Sequence, residues 1–293
     1  MALETIVVLL VHFRIPLVVL LLAVCIGASA EQATQDSRPL PDPVVLTRQI
    51  REAIRLDYAL QKEFTYREHR RDVKISTLGK VTVGPLRTFE VFPSTEPGKT
   101  YKRLIAVDGK PLDPAELAKR DAERQRDLAR LETEAERAAR TREEEAERRE
   151  REAIIDDAMA VFAPTLIGRE IYEGQPVIVA RLSARPNARV TTREGRWFRQ
   201  FEGRAWIAEA DYQIARIDMH AIDDVSIGWG IVGRIHQGSR FVFSRRKVED
   251  TWLPAELIFE GSGRTLLFRK FQLNAVTTYS DYRRQTKRNG LSP

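Results

Sequence analysis

Gly203–Ile222 (GRAWIAEADYQIARIDMHAI) reads as two strands joined by a polar turn. Gly203–Ala208 supplies the first strand, Glu209–Tyr212 the turn and Gln213–Ile222 the second. On the second strand Ala215, Ile217, Met219 and Ala221 fall on one face, and Arg216, Asp218 and His220 share the other. A period of two marks a strand with one side buried. The wider run Glu202–Tyr282 continues with strands and no helical spacing, which predicts one broad antiparallel sheet with a single apolar face. That face has to be covered, and what covers it is the functional question.

Strand signals also precede this run. Phe64–Ile75, Lys80–Phe92 and Tyr101–Val107 form a first group, with an interruption at Gly84-Pro85 that predicts an edge or a bulge, because proline cannot donate to a ladder. Thr165–Tyr172 and Pro176–Leu182 flank the turn pair Glu173-Gly174, Ser183–Arg193 is a basic loop, and Trp197–Phe201 leads into the opening stretch. Arg240–Val248, Trp252–Glu260 and Thr265–Tyr282 follow a glycine-rich segment, Asp223–Gly238. The total is about ten strands with short links. Strands and helices do not alternate, so a parallel sheet is not expected.

Two segments read as helix. Val44–Leu60 places Leu46, Ile50, Ala53, Ile54 and Leu60 near helical spacing, with charges opposite. Asp113–Arg151 is different: 13 acidic and 11 basic residues in 39 positions account for much of the chain's 31% charged content. Asp113, Pro114 and Glu116 make a helix start, and Glu116–Arg120, Glu136–Arg140 and Glu147–Arg151 are favourable i,i+4 pairs. With almost no apolar stripe, this stretch predicts one long charged helix standing in solvent, or an arm that docks a partner through Leu128 and Leu131. Ile154, Ile155, Ala158, Met159 and Phe162 restore an apolar stripe that should anchor the segment before Pro164 ends it.

The start of the chain reads as an export signal. Ile15–Ile26 (IPLVVLLLAVCI) is a nearly unbroken apolar run, and Ala28 and Ala30 form an A-x-A pattern, so cleavage is expected after Ala30. The alternative is an uncleaved membrane helix over Ile6–Ile26 that tethers the protein. Glu31–Pro43 is then a polar linker. The domain plan is signal 1–30, linker 31–43, helix and first strands 44–112, charged insertion 113–163 and main sheet 164–293. Cleavage removes Cys25, the only cysteine, so the mature chain has no disulfide, cysteine-ligated zinc or catalytic thiolate.

No nucleophile elbow, P-loop, H-E-x-x-H or paired-cysteine pattern occurs, so neither an enzyme nor a cofactor or metal is expected. The charged insertion is net −2, which leaves the rest of the mature chain at +8. Its clusters at Arg67, Arg70 and Arg71, at Arg181 to Arg199, and at Arg245, Arg246 and Lys247 suit anionic headgroups or acidic partners, and in an exported protein not nucleic acid. Trp206, Ile217, Met219, Trp229, Phe241, Phe243, Leu257, Phe259 and Phe268 are the candidate walls of an apolar cavity, and the same residues would also serve as plain core. Gly228-Trp229-Gly230 is a candidate rim.

Leu166–Val179 (LIGREIYEGQPVIV) and Gly203–Ile217 (GRAWIAEADYQIARI), behind an export signal and a helix, resemble hairpins of the LolA/LolB-like superfamily of periplasmic lipoprotein carriers and their stress-sensor relatives. The resemblance implies a mainly antiparallel, unclosed half-barrel capped by helices, with lipid or lipoprotein acyl chains as ligand. The alternative is an envelope sensor or interaction module whose charged helix docks an inner- or outer-membrane protein.

Overall fold

The computed structural model describes residues 38–76, 80–94, 100–130, 133–227, 233–265 and 269–285. The signal and its cleavage site lie outside them. Helix α1 (Pro43–Gln61) starts the described chain. Strands β1 (Phe64–Ile75), β2 (Val81–Phe92), β3 (Tyr101–Val107) and β4 (Lys110–Pro111) follow. Helices α2 (Pro114–Arg130) and α3 (Glu134–Val161) lead to the hairpin β5 (Phe162–Tyr172) and β6 (Gln175–Ala184). A short helix α4 (Arg193–Phe198) precedes β7 (Phe201–Ala208), β8 (Ile214–Ala221), β9 (Val225–Ile227), β10 (Gly233–Ile235), β11 (Arg240–Val248), β12 (Thr251–Thr265) and β13 (Arg269–Arg284).

All strands join one antiparallel sheet in the order β4-β3-β2-β1-β13-β12-β11-β8-β7-β6-β5, with β10 paired to β12 and to β9. The two ends of this path do not meet, so the molecule is an unclosed half-barrel with covering helices. Thirteen strands replace the expected ten because β4, β9 and β10 are only two or three residues long and too short to show a period. The β5–β6 hairpin turns at Glu173 and Gly174, whose φ values of 50° and 72° suit a primed turn. The register between β1 and β2 jumps at Arg71/Val73, opposite Gly84-Pro85, where the sequence predicts the bulge.

Asp42 caps α1 by accepting from the Val44 and Val45 amides at 2.8 and 3.0 Å. The helix lies across the sheet. Leu46 and Ile50 pack on Ile178, Ala180, Ala205 and Ile207, joined by Ile54, Met159 and Leu182. Beyond this cluster, buried Arg245 clamps helix to sheet. It donates to Gln213 Oε1 at 3.3 Å, to the Ile214 carbonyl at 3.1 Å, to Asp57 Oδ1 at 2.5 Å and to the Trp252 carbonyl. Burial pushes the Asp57 carboxyl above its ordinary range, and the Arg245 guanidinium offsets only part of that.

The charged segment departs from expectation in one way: it holds two helices, because Thr133 caps α3 by accepting from the Glu136 amide at 3.3 Å. Residues 135–150 of α3 are almost all exposed, and the contacts to α1 come mainly from the end of the helix beyond Arg151. Arg51 bonds Asp156 (Nε to Oδ1, 2.8 Å), Arg55 faces Glu152 at 3.9 Å and Lys62 meets Glu144 at 3.3 Å. Ascending numbers on α1 meet descending numbers on α3, so the helices run antiparallel, joined by a ladder of charge pairs that adds to the Met159 contact.

Trp197 and Phe198 are helical, with the strand starting only at Phe201. Buried Asp157 of α3 fixes this entry. It accepts from the Thr192 amide (2.7 Å) and hydroxyl (2.6 Å) and from the Thr191 amide (3.0 Å). Gly195 is required beside it, since a Cβ there would sit 2.3 Å from Asp157 Oδ2.

Candidate functional site

Because side chains alternate along a strand, the register assigns each residue to a face. Six of the nine candidates come together on the α1 side. Phe243 pairs with Ile217 and Leu257, and Phe241 pairs with Met219 and Phe259. These are two neighbouring rungs across β8, β11 and β12, continued on β13 by Thr277 and Ala275. Burial differs within the block. Leu257, Phe259 and Met219 are 0, 5 and 6% exposed, which makes them core, whereas Ile217, Phe241 and Phe243 are half-buried.

Trp206 is on the opposite face. Trp229 and Phe268 lie outside the described residues. Ala215 also leaves the face that the period assigns to it. The ladder between β7 and β8 slips between Trp206/Arg216 and Ile207/Ile214, which leaves Ala215 as the extra residue of a bulge. Ile214 therefore packs with Ile178 and Ile207 on the helix side, and Ala215 packs with Val177, Ala208 and Trp252 on the other. A second slip at Ser244/Arg245 bends the β11–β12 tip and brings the Trp252 ring to stack on Tyr172, 6.4 Å between centroids.

The face away from α1 carries a groove of about 780 Å³ lined by Arg181, Ser183, Glu202, Gly203, Arg204, Trp206, Arg216, Asp218 and His220. Three adjacent strands build it. Arg181 of β6 is directly opposite Arg204 of β7, which is opposite Asp218 of β8. Trp206 is opposite Arg216, whose guanidinium lies 5.4 Å from the indole centroid, and the Trp206 Nε1–H donates to Glu170 at 2.8 Å. Glu202 is opposite His220 and meets its Nε2 at 3.1 Å. Gly203 lets β7 and β8 approach, since a Cβ there would sit 2.0 Å from the Asp218 carbonyl oxygen.

The charges are unevenly matched. Arg240 donates twice to Asp218, at 2.8 and 2.7 Å, and Arg216 adds a bond at 3.3 Å. The Arg240 bonds, then those of Arg216, hold the Asp218 carboxyl below its ordinary range. Glu202 is shared with His220. Among the described residues, Arg181 and Arg204 meet no carboxylate, although they are like charges in directly paired positions. Ser183, Glu202 and His220 do not form a nucleophile–base pair. The carboxylate is on the middle strand, so the backbones of the serine and the histidine are two strand spacings, about 9.6 Å, apart, and the His220 ring is bonded to Glu202.

The sequence reading places Arg216, Asp218 and His220 on one face and notes the basic run from Arg181, yet it does not assemble the groove. Only the β6–β7 register brings Arg181 to Arg204.

No protein-family model matches the chain, and no curated protein matches it. Three solved structures are similar: a DUF1329 family protein from Desulfovibrio piger (11% identity, 85% of this chain and 96% of that one, TM-score 0.29), an outer membrane lipoprotein-sorting protein domain from Vibrio parahaemolyticus (10%, 83% and 95%, 0.30) and a LolA superfamily protein from Nitrosomonas europaea (9%, 84% and 95%, 0.27). With TM-scores of this size, the fold assignment rests on the strand order and register above, and the function on the site.

Proposed function

We propose that this is an exported, non-catalytic binding protein that holds lipid or lipoprotein acyl chains against the α1 side of its half-barrel. One observation carries the reading. On an unclosed sheet, Ile217, Phe241 and Phe243 stand side by side and only half-buried, next to fully buried Leu257. A row of this kind offers apolar area to a chain slid between sheet and helix, and each methylene buried there contributes about 0.8 kcal/mol. The cover is suited to movement, because α1 is held towards α3 by exposed and half-exposed ion pairs, which contribute about 0–1 kcal/mol each. The buried Arg245–Asp57 clamp then acts as the fixed point about which the rest of α1 shifts.

The test is titration of the mature protein with a fluorescent acyl-chain probe. Ile217→Trp, which fills the row and keeps it apolar, should weaken probe binding about tenfold or more while the protein stays folded. Unchanged binding in that variant would move the chain site elsewhere; no binding by the wild-type protein would end the reading.

A further inference from the structure

The groove opposite α1 has no part in holding an acyl chain. Asp218 and Ile217 are neighbours on β8 with side chains on opposite faces, so the groove and the apolar rungs lie back to back. One chain-bearing molecule cannot enter both without passing round a sheet edge.

We infer that the groove is a second binding site, for a phosphate-ester oxyanion gripped by Arg181 and Arg204. Like charges directly opposite in an antiparallel ladder are destabilising. This exposed pair spans β6 and β7 of a three-strand floor, and although Arg204 is also opposite Asp218, neither arginine forms an ion pair among the described residues. The acids that are present are engaged elsewhere: Asp218 by Arg240 and Arg216, Glu202 by His220. Two arginines whose backbones are one strand spacing apart, about 4.8 Å, can bring their N–H forks to one tetrahedral oxyanion, a task for which arginine outperforms lysine. Trp206 and the stacked Arg216 give a flat wall beside them, and about 780 Å³ exceeds the needs of a bare ion, so a small polar group esterified to the phosphate is accommodated. Its source is either the headgroup of an anionic phospholipid or a soluble phosphate ester.

Calorimetric titration of the full mature chain with glycerol 3-phosphate, and co-sedimentation with phosphatidylglycerol–phosphatidylcholine vesicles, separate the two sources. Arg181→Gln/Arg204→Gln should weaken glycerol 3-phosphate binding about a hundredfold, roughly tenfold per charged hydrogen-bonding group lost. The thermal midpoint should stay level or rise, because a repulsion is removed. Vesicle binding lost in the same variant assigns the groove to headgroups. Vesicle binding absent throughout, with glycerol 3-phosphate bound, supports the site and assigns it to a soluble ester. Wild-type protein that ignores glycerol 3-phosphate, or a double variant that binds it equally well, overturns the proposal. Acyl-probe binding should be the same in wild-type and double variant, so failure here leaves the chain site standing.

Discussion

The two faces of β6, β7 and β8 come from the same residues taken alternately, yet they are built on opposite terms. On the α1 side, Ile178, Ala180, Ala205 and Ile207 meet Leu46 and Ile50, and each side chain improves the burial of the next. On the other side, exposed Arg181 faces exposed Arg204 across one rung, a like-charge pairing that costs a little stability and that packing does not require. The first face is explained by packing. On the second, packing accounts for Val177, Ala208, Ala215 and Trp252 but not for the arginine pair, and an interaction that costs stability in the free protein is where a ligand is best sought.

Four substitutions test this contrast, from the largest expected effect to the smallest. Arg245→Ala removes a buried cation with its four hydrogen bonds and leaves the buried Asp57 carboxylate with Gln61 but without a counter-charge; it should cost about 3–5 kcal/mol in chemical denaturation. An effect under about 1 kcal/mol would show that α1 is not clamped there. Leu257→Ala opens a void at a fully buried position and should cost about 3 kcal/mol. Glycerol 3-phosphate binding on the other face should be unchanged, and a coupled loss would show that the two faces are not independent.

Asp157→Asn should cost about 1–2 kcal/mol near neutral pH, by weakening the bonds that hold Thr191 and Thr192. Burial alone would raise the Asp157 carboxyl; the bonds from Thr192 and Thr191 outweigh it and hold the group below 3.8, the ordinary aspartate value. A depressed folded value stabilises fully above the unfolded one and is lost as pH falls through the folded one. The gap between wild-type and variant should therefore close in acid, and a gap that stays constant with pH would contradict this account. Smallest of all, Arg204→Gln alone should leave stability level or raise it by a few tenths of a kcal/mol. A clear loss would mean that the arginine serves packing after all.

Much of the fold was legible because its signals are local. The period of two at Ile217 and Met219, the Glu173-Gly174 turn and the α1 spacing each need only a few neighbouring residues. Failures occurred where long-range geometry decides. Ala215 obeys the period in sequence and breaks it in space, because the bulge that moves it depends on β7. The end of α3 was read by its apolar stripe alone, yet Glu144, Glu152 and Asp156 match Lys62, Arg55 and Arg51 in spacing, a complementarity visible only once the two helices are set side by side. The break in the charged segment was legible in Thr133-Glu134-Ala135-Glu136, a capping pattern masked by uniformly strong helix formers. At the candidate site, six apolar positions gathered as the alternation implies, Trp206 faced away, and the groove depended on a register that no single strand encodes.

The central claim is that the half-barrel carries an acyl chain on its α1 side. Native mass spectrometry of the protein released from a bacterial envelope tests it most directly. The account predicts a population heavier than the bare mature chain by the mass of a lipid, and loss of that population in Ile217→Trp. A wild-type protein that appears only as the bare chain, under conditions that preserve other protein–lipid complexes, would contradict it.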